Sequence, residues 1–271
     1  MHRLAILLFL FSAACATVPP ATAPDSSAAT LETTPRHHEW VTIPSAGRTL
    51  HAYVAWPERS DAAPAVLVIH ENRGLNDWAR TVADQLASRG YLAIAPDMLS
   101  GTGPGGGRTD SFPNEDAARE GISKLDMTRV VEDMRNAAQY IRTRPGASGT
   151  LYAAGFCWGG SRAWEAANTI DNLSGTFVFY GTGPQDAAGV AGIDAPVWGF
   201  YGGDDARVNA TIEHTAEHMR AAGKTFEPVI YPGAGHAFMR LGEMPDAKPA
   251  NKEARDKAWV RWLGAMSSRT E

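Results

Sequence analysis

Cys157 stands in Gly155-Phe156-Cys157-Trp158-Gly159-Gly160, just after the apolar run Leu151-Tyr152-Ala153-Ala154. An apolar run, a glycine-flanked turn and a helical pattern over Ser161 to Ala167 make a nucleophile elbow, with cysteine where serine is commoner. The flanking glycines let the chain turn without a side-chain clash. A cysteine at a helix N-terminus sits where the dipole favours negative charge, and the thiolate is the nucleophile. The bland alternative is a buried cysteine in a glycine-rich turn. Two further polar loops argue against it. One is Tyr201-Gly202-Gly203-Asp204-Asp205-Ala206-Arg207-Val208, the other Tyr231-Pro232-Gly233-Ala234-Gly235-His236-Ala237-Phe238. Together they supply an acid and a histidine after the nucleophile. His236 would take the thiol proton and later protonate a leaving group. A carboxylate would hold its tautomer and stabilise its charge. Asp204 and Asp205 compete for that role. Asp205 fits Gly-x-x-Asp-x-x-Val with Gly202 and Val208, which leaves Asp204 as a solvated turn residue.

These loops need a scaffold that brings them to one edge. Trp40 to Ile43 and His51 to Trp56 read as an opening hairpin. Ala65-Val66-Leu67-Val68-Ile69 is an unbroken apolar run, as in a parallel strand covered on both faces. A helix capped by Asp77 runs to about Arg89, where Gly90 stops it, and Tyr91 to Ala95 is the next strand. Met98 to Pro113 carries five glycines and reads as a mobile lid or a binding loop. It lacks the Gly-Lys-Ser/Thr of a phosphate cradle. Asn114 to Arg142 is helical, broken near Gly121 and Ser123. Strands over Leu151–Ala154, Thr176–Tyr180, Val197–Tyr201 and Phe226–Tyr231 alternate with helices near Ser161–Ala167, Asn209–Ala222 and Lys248–Met266. That alternation predicts an α/β fold with a doubly wound, mostly parallel sheet, whose strand C-terminal ends carry the site.

The order nucleophile, acid, histidine is that of the α/β-hydrolases. The elbow around Cys157, the Asp205 loop and Gly235-His236-Ala237-Phe238 resemble the dienelactone hydrolase family (carboxymethylenebutenolidases), over roughly Val54 to Leu263. Glu71-Asn72-Arg73-Gly74-Leu75-Asn76 resembles that family's Glu-x-x-Gly-x-Asn loop. The resemblance implies that Glu71 helps generate the thiolate when substrate arrives and is otherwise paired with Arg240, four residues after His236. It also implies an oxyanion hole from the backbone N–H groups of Asn72 and Trp158, in line with the general rule for such elbows. The family prototype binds a substrate carboxylate through an arginine in the loop after the Pro-Asp strand end. Met98-Leu99-Ser100-Gly101 has none, so Arg108 is the substitute candidate, and Ala237 stands where the prototype has serine. The expected activity is hydrolysis of a small-molecule ester or lactone by a Cys-His-Asp triad through a thioacyl intermediate. The alternatives are a broader carboxylesterase or acyl transferase of the cell envelope, and a tethered binding lipoprotein without turnover.

The 271 residues, with 44% hydrophobic and 20% charged, suit one domain with a large core. A net charge of −5 offers nothing to nucleic acid. No cofactor or metal is expected. His214 and His218 have ligand spacing, but no third ligand is in sight. The tryptophans read mainly as core, and His70 either lines the site or ends its strand. Met1-His2-Arg3, the apolar Leu4 to Phe11 and small residues up to Ala16 form an export signal over residues 1–16. Cleavage after Ala16 fits. So does a lipobox, since Ala13-Ala14-Cys15 would leave Cys15 as a lipidated N-terminus, although Ser12 stands where leucine is usual. Residues 17–36 are rich in Ala, Thr, Pro and Ser and read as a flexible tether, with the hydrolase domain over 37–271. The expectation is an exported monomer of a bacterial envelope or periplasm, with a lipid anchor as one route. In that compartment Cys157 has no disulfide partner, so its thiol is kept for use.

Overall fold

A computed structural model of the chain describes residues 26–268. The export signal, Cys15 and the first part of the tether lie outside the described residues. The elements run α1 (Ser26–Thr33), β1 (His38–Ser45), β2 (Arg48–Ala55), β3 (Ala63–Ile69), α2 (Asp77–Ala87), β4 (Leu92–Pro96), α3 (Glu115–Ser123) and α4 (Met127–Arg142). They continue with β5 (Ala147–Phe156), α5 (Trp158–Thr169), β6 (Gly175–Phe179), β7 (Val197–Gly202), α6 (Ala206–Asn209), α7 (Ile212–Ala221), β8 (Phe226–Tyr231), α8 (Phe238–Leu241) and α9 (Pro249–Ser267).

The strands form one eight-stranded sheet in the order β1-β2-β4-β3-β5-β6-β7-β8. The β1–β2 and β2–β4 pairs are antiparallel and every later pair is parallel. This is the α/β-hydrolase arrangement, and the strand order reverses beside β3 and β5. Strand alternation divides the core in two. Val66, Val68, Tyr152, Ala154 and Phe156 face α2 and α9, with Trp78 and Trp262. Ala65, Leu67, Ile69, Leu151 and Ala153 face α4 and α5, with Met134 and Trp164. Under the elbow the rings stack, Phe156 on Phe179 at 4.6 Å and Phe179 on Phe200 at 4.4 Å, with the Trp262 edge 4.9 Å from Phe179. Each such fully buried side chain contributes on the order of 2–3 kcal/mol. The platform carrying Cys157 is therefore rigid.

Three sequence expectations shift. The tether was drawn through residue 36, yet residues 26–33 are helical and Leu31 is buried at 7% exposure. Arg36 then makes a forked ion pair with buried Asp84 on α2, at 2.8 and 2.5 Å, so packing overrides a weakly helical, polar composition. The cap of α2 is Asn76, whose side chain accepts from Ala79 N at 3.1 Å; Asp77 is the first helical residue. The 98–113 segment is folded, with short 3₁₀ turns at Pro104–Gly106 and Thr109–Ser111. Buried Asp97 anchors it, accepting from Leu99 N at 3.0 Å, Thr109 N at 2.9 Å and Thr109 Oγ1 at 2.8 Å.

Candidate active site

Cys157 joins β5 to α5 and takes the strain of the elbow itself. Its φ of 55° and ψ of −113° are open to few side-chain-bearing residues and cost about 1–3 kcal/mol. The strain is held by Cys157 N donating to Phe179 O at 3.0 Å and Ser161 N donating to Cys157 O at 3.2 Å. The glycines do what the sequence implies, leaving room where a side chain would clash. Gly155 and Gly159 do not have positive φ. They permit contact instead. A Cβ on Gly155 would lie 2.0 Å from Gly159 O, and one on Gly159 would lie 2.2 Å from Ile69 O. The first turn of α5 therefore presses against the end of β3, which brings the Glu71 loop to the elbow.

The structure brings the three expected side chains together. Asp205 Oδ2 lies 2.5 Å from His236 Nδ1, and His236 Nε2 lies 3.0 Å from Cys157 Sγ. Asp205, at the end of β7, is 7% exposed and its Oδ1 caps α6. Asp204 is exposed and makes no contact with the His236 ring nitrogens, both of which are taken by Asp205 and Cys157. Burial pulls the His236 pKa down, but the hydrogen bonds to Cys157 and Asp205 outweigh it and push the ring up to about 9.

Glu71 follows β3 and is 3% exposed. Its Oε2 accepts from Arg240 Nε at 2.9 Å, and its Oε1 accepts from the Tyr180 hydroxyl at 3.3 Å. Burial weakens the Arg240 charge, and the attraction of Glu71 more than restores it, raising its pKa. Tyr180 was not expected at the site. Burial first, then the Glu71 charge, raises its pKa well above the ordinary value, so it stays a donor. It directly follows β6 with φ of 42°, and its ring lies edge-on to His236 with 5.2 Å between ring centroids. The rule that strand C-terminal ends carry the site could have found it. Asn72, Trp158 and Cys157 line one cavity of about 300 Å³, with Ile122 and Ser123 from α3 and Arg207 from α6. Among the described residues, neither Asn72 N–H nor Trp158 N–H donates to a protein acceptor. Trp158 N–H is one of the groups a helix start leaves unpaired.

Arg108 is elsewhere. It pairs with Asp110 at 2.8 Å, lies 3.6 Å over the Trp40 ring and lines a separate cavity near Asn76. The fold of the glycine-rich loop turns it towards β1, so it does not reach the Cys157 cavity. Arg119 on α3 and Arg207 are the arginines that line that cavity. Among the described residues, no cluster of three or more His, Cys, Asp or Glu could hold a metal, and no helix is long and apolar enough to cross a membrane.

The sequence profile of the dienelactone hydrolase family matches residues 50–269. The chain belongs to the dienelactone hydrolase family. It is 33% identical over 234 residues to a candidate carboxymethylenebutenolidase of Salmonella typhimurium, covering 82% of this chain and 83% of that one. A crystal structure of a candidate dienelactone hydrolase from Klebsiella pneumoniae superposes with a TM-score of 0.75 at 29% identity, over 86% of this chain and 99% of the other. A dienelactone hydrolase-like promiscuous phosphotriesterase from metagenomic libraries shares the fold at a TM-score of 0.73 and 24% identity, over 86% of this chain and 98% of that one. As a member of this family the protein is a hydrolase acting on ester or lactone bonds. The profile spans most of β2 and every later strand, and with them all the residues of the Cys157 cavity.

Proposed function

We propose that this hydrolase cleaves its ester or lactone through a Cys157–His236–Asp205 triad and a thioacyl intermediate. The observation that carries the reading is the unbroken contact chain from Asp205 Oδ2 through His236 to Cys157 Sγ, with the sulfur on a strained elbow. Cys157 Sγ attacks the carbonyl carbon, and the oxygen, now negative, is received by Asn72 N–H and Trp158 N–H. The C–O bond to the leaving group breaks as His236 gives that oxygen its proton. In a lactone the freed hydroxyl stays on the acyl chain. Acylation removes the sulfur's charge and its hydrogen bond to His236, two of the causes that raise the ring's pKa. The imidazole then becomes a base for the water that releases the acid. In this reading Glu71, held by Arg240, becomes a second acceptor for the thiol proton when an acidic substrate draws Arg240 away.

The test is aryl-ester turnover with mass analysis of the Cys157 peptide. Cys157→Ala should abolish turnover. Cys157→Ser should lower kcat by at least about 10²-fold, because a hydroxyl ionises far less readily than a thiol. A quenched wild-type reaction should carry one acyl group on Cys157. Turnover near wild type in Cys157→Ala would end the nucleophile assignment. The leader pattern supports an envelope location for this activity. The N-terminal mass of the mature protein separates a lipidated Cys15 from cleavage after Ala16, and an unprocessed Met1 in exporting cells would refute export.

A further inference from the structure

His70 directly follows β3, is fully buried, and has no role in the steps above. Its ring makes three contacts. Met98 N–H donates to Nε2 at 3.2 Å, Nδ1 lies 2.7 Å from Glu71 O, and the ring stacks on the Trp158 indole at 5.6 Å and 16°. These contacts fix its chemical state. A backbone N–H can only donate, so Nε2 is the acceptor and carries no hydrogen. Nδ1 therefore holds the proton and donates it to the Glu71 carbonyl. Burial lowers the ring's pKa, against the pull of Asp97, which agrees with a neutral ring.

The Glu71 carbonyl is one end of a planar trans peptide whose other end is Asn72 N–H, and the two bonds point in opposite directions. Whatever holds the carbonyl therefore aims the N–H. Gly74 N–H also reaches this oxygen, but at 3.3 Å, so His70 is the shorter contact. Donation to a peptide oxygen also polarises the peptide and strengthens the N–H as a donor. The second donor of the hole belongs to Trp158, on whose ring His70 lies. One side chain thus touches the Glu71–Asn72 peptide through its carbonyl and the Trp158 ring, and its other nitrogen ties them to the start of the segment after β4.

We propose that His70 is the positioning residue of the oxyanion hole. Its Nδ1–H holds the Glu71 carbonyl so that Asn72 N–H faces the reacting carbonyl, and its ring seats the turn that presents Trp158 N–H. The proposal rests on the Cys157 mechanism above, whose own failure shows separately as turnover in Cys157→Ala. His70→Phe keeps a ring against Trp158 and removes both nitrogens. His70→Asn keeps an amide donor near the Nδ1 position.

Three readouts are compared with wild type. These are kcat and KM on an aryl ester, inhibition by butanal, and the rate of Cys157 alkylation by iodoacetamide. Butanal adds to the sulfur through its carbonyl carbon, which puts an oxygen in the hole. Alkylation forms an S–C bond as iodide leaves, and uses no oxyanion donor. In His70→Phe, kcat and butanal affinity should fall together by roughly 10–100-fold, with KM within about threefold and alkylation unchanged; the complete loss of one such donor costs about 10²–10³-fold. His70→Asn should stay within about fivefold of wild type in all three, since it keeps a donor of the same strength class. The proposal is overturned if His70→Phe keeps kcat and butanal affinity, or if alkylation falls in step with kcat. It is equally overturned if His70→Asn matches His70→Phe. Should His70→Phe not fold, His70→Asn decides: retained butanal affinity supports the assignment, and a tenfold loss overturns it.

Discussion

Removing the Arg240 guanidinium is the sharpest test of the Glu71 arrangement, because stability and thiol chemistry should change together. The Glu71 carboxylate is 3% exposed and has two partners, Arg240 Nε at 2.9 Å and the Tyr180 hydroxyl at 3.3 Å. Breaking a fully buried pair costs about 3–5 kcal/mol. Here the Arg240 side chain is 20% exposed, so water can enter where it leaves, and Tyr180 remains as a donor. The expected cost of Arg240→Ala is therefore at the low end, about 2–3 kcal/mol. At about 2–4 °C per kcal/mol for a domain of this size, that is a fall of roughly 5–10 °C in Tm. The Glu71→Gln, Arg240→Ala double variant carries no unpaired charge and should recover most of it. The cycle should thus show a coupling of about 1–3 kcal/mol. The same four proteins are then treated with iodoacetamide at neutral pH. Arg240→Ala should alkylate faster than wild type, because Glu71 is released as an acceptor for the Cys157 proton. The double variant should return to the wild-type rate. Unchanged alkylation in all four, beside a normal Tm cycle, would reduce Glu71–Arg240 to a structural ion pair. A Tm loss below about 1 °C in Arg240→Ala would refute the burial argument itself.

Three further outcomes are expected. Asp205→Asn should lower kcat by about 10³–10⁴-fold, since an amide at the Asp205 position favours the wrong tautomer of His236, while Asp204→Asn on the exposed turn stays within about twofold. Equal losses in kcat assays of both would move the acid elsewhere. The His236 contribution to stability follows from a folded pKa raised from 6.5 to about 9: it is fully present below pH 6.5 and lost as the pH rises through 9. The Tm gap between wild type and His236→Gln should accordingly be full at pH 6 and close by pH 10, and a gap that widens with pH would contradict the assigned shift. Arg108→Ala should leave kcat/KM on any ester within about twofold, because its ion pair to Asp110 is exposed and such pairs are worth little. A tenfold rise in KM would return Arg108 to the substrate site.

The sequence reading reached the fold and the three side chains that meet at the elbow for the same reason. Strands such as Ala65 to Ile69 and the elbow after Leu151 are specified by local pattern, and a parallel sheet carries their C-terminal ends to one edge. Where neighbouring residues were chemically equivalent, pattern alone did not choose. Asn76 and Asp77 are both good caps, and only the hydrogen bond to Ala79 N separates them. Arg108 lay in the right loop, but the turns at Pro104–Gly106 and Thr109–Ser111 aim it at Trp40. The helix over Ser26–Thr33 was invisible because its support is tertiary, from Leu31 and the contacts with α2. The role of the elbow glycines was legible, but one set of atoms that they make room for was not. Gly159 is required by the Ile69 and His70 carbonyls, which no local rule names, whereas Gly155 is required by the Gly159 carbonyl only four residues on.

The same contacts explain why so much of the site converges on one residue. Glu71 follows the Ile69 and His70 carbonyls, which leave no room for a Cβ on Gly159, so its backbone is fixed against the elbow. Its carboxylate is bound by Arg240 and Tyr180, from α8 and the end of β6, while its carbonyl is bound by His70. In the mechanism proposed here the carboxylate governs the proton on the sulfur, and the peptide governs the hole that receives the oxygen. These two functions have separate anchors. A change at Arg240 should therefore alter alkylation of Cys157 and leave butanal affinity in place, whereas a change at His70 should do the reverse. Crossing the two sets of variants against the two probes makes the separation measurable. If both variants move both probes in parallel, the Glu71 loop acts as a single rigid unit, and the division of labour between its side chain and its peptide is wrong.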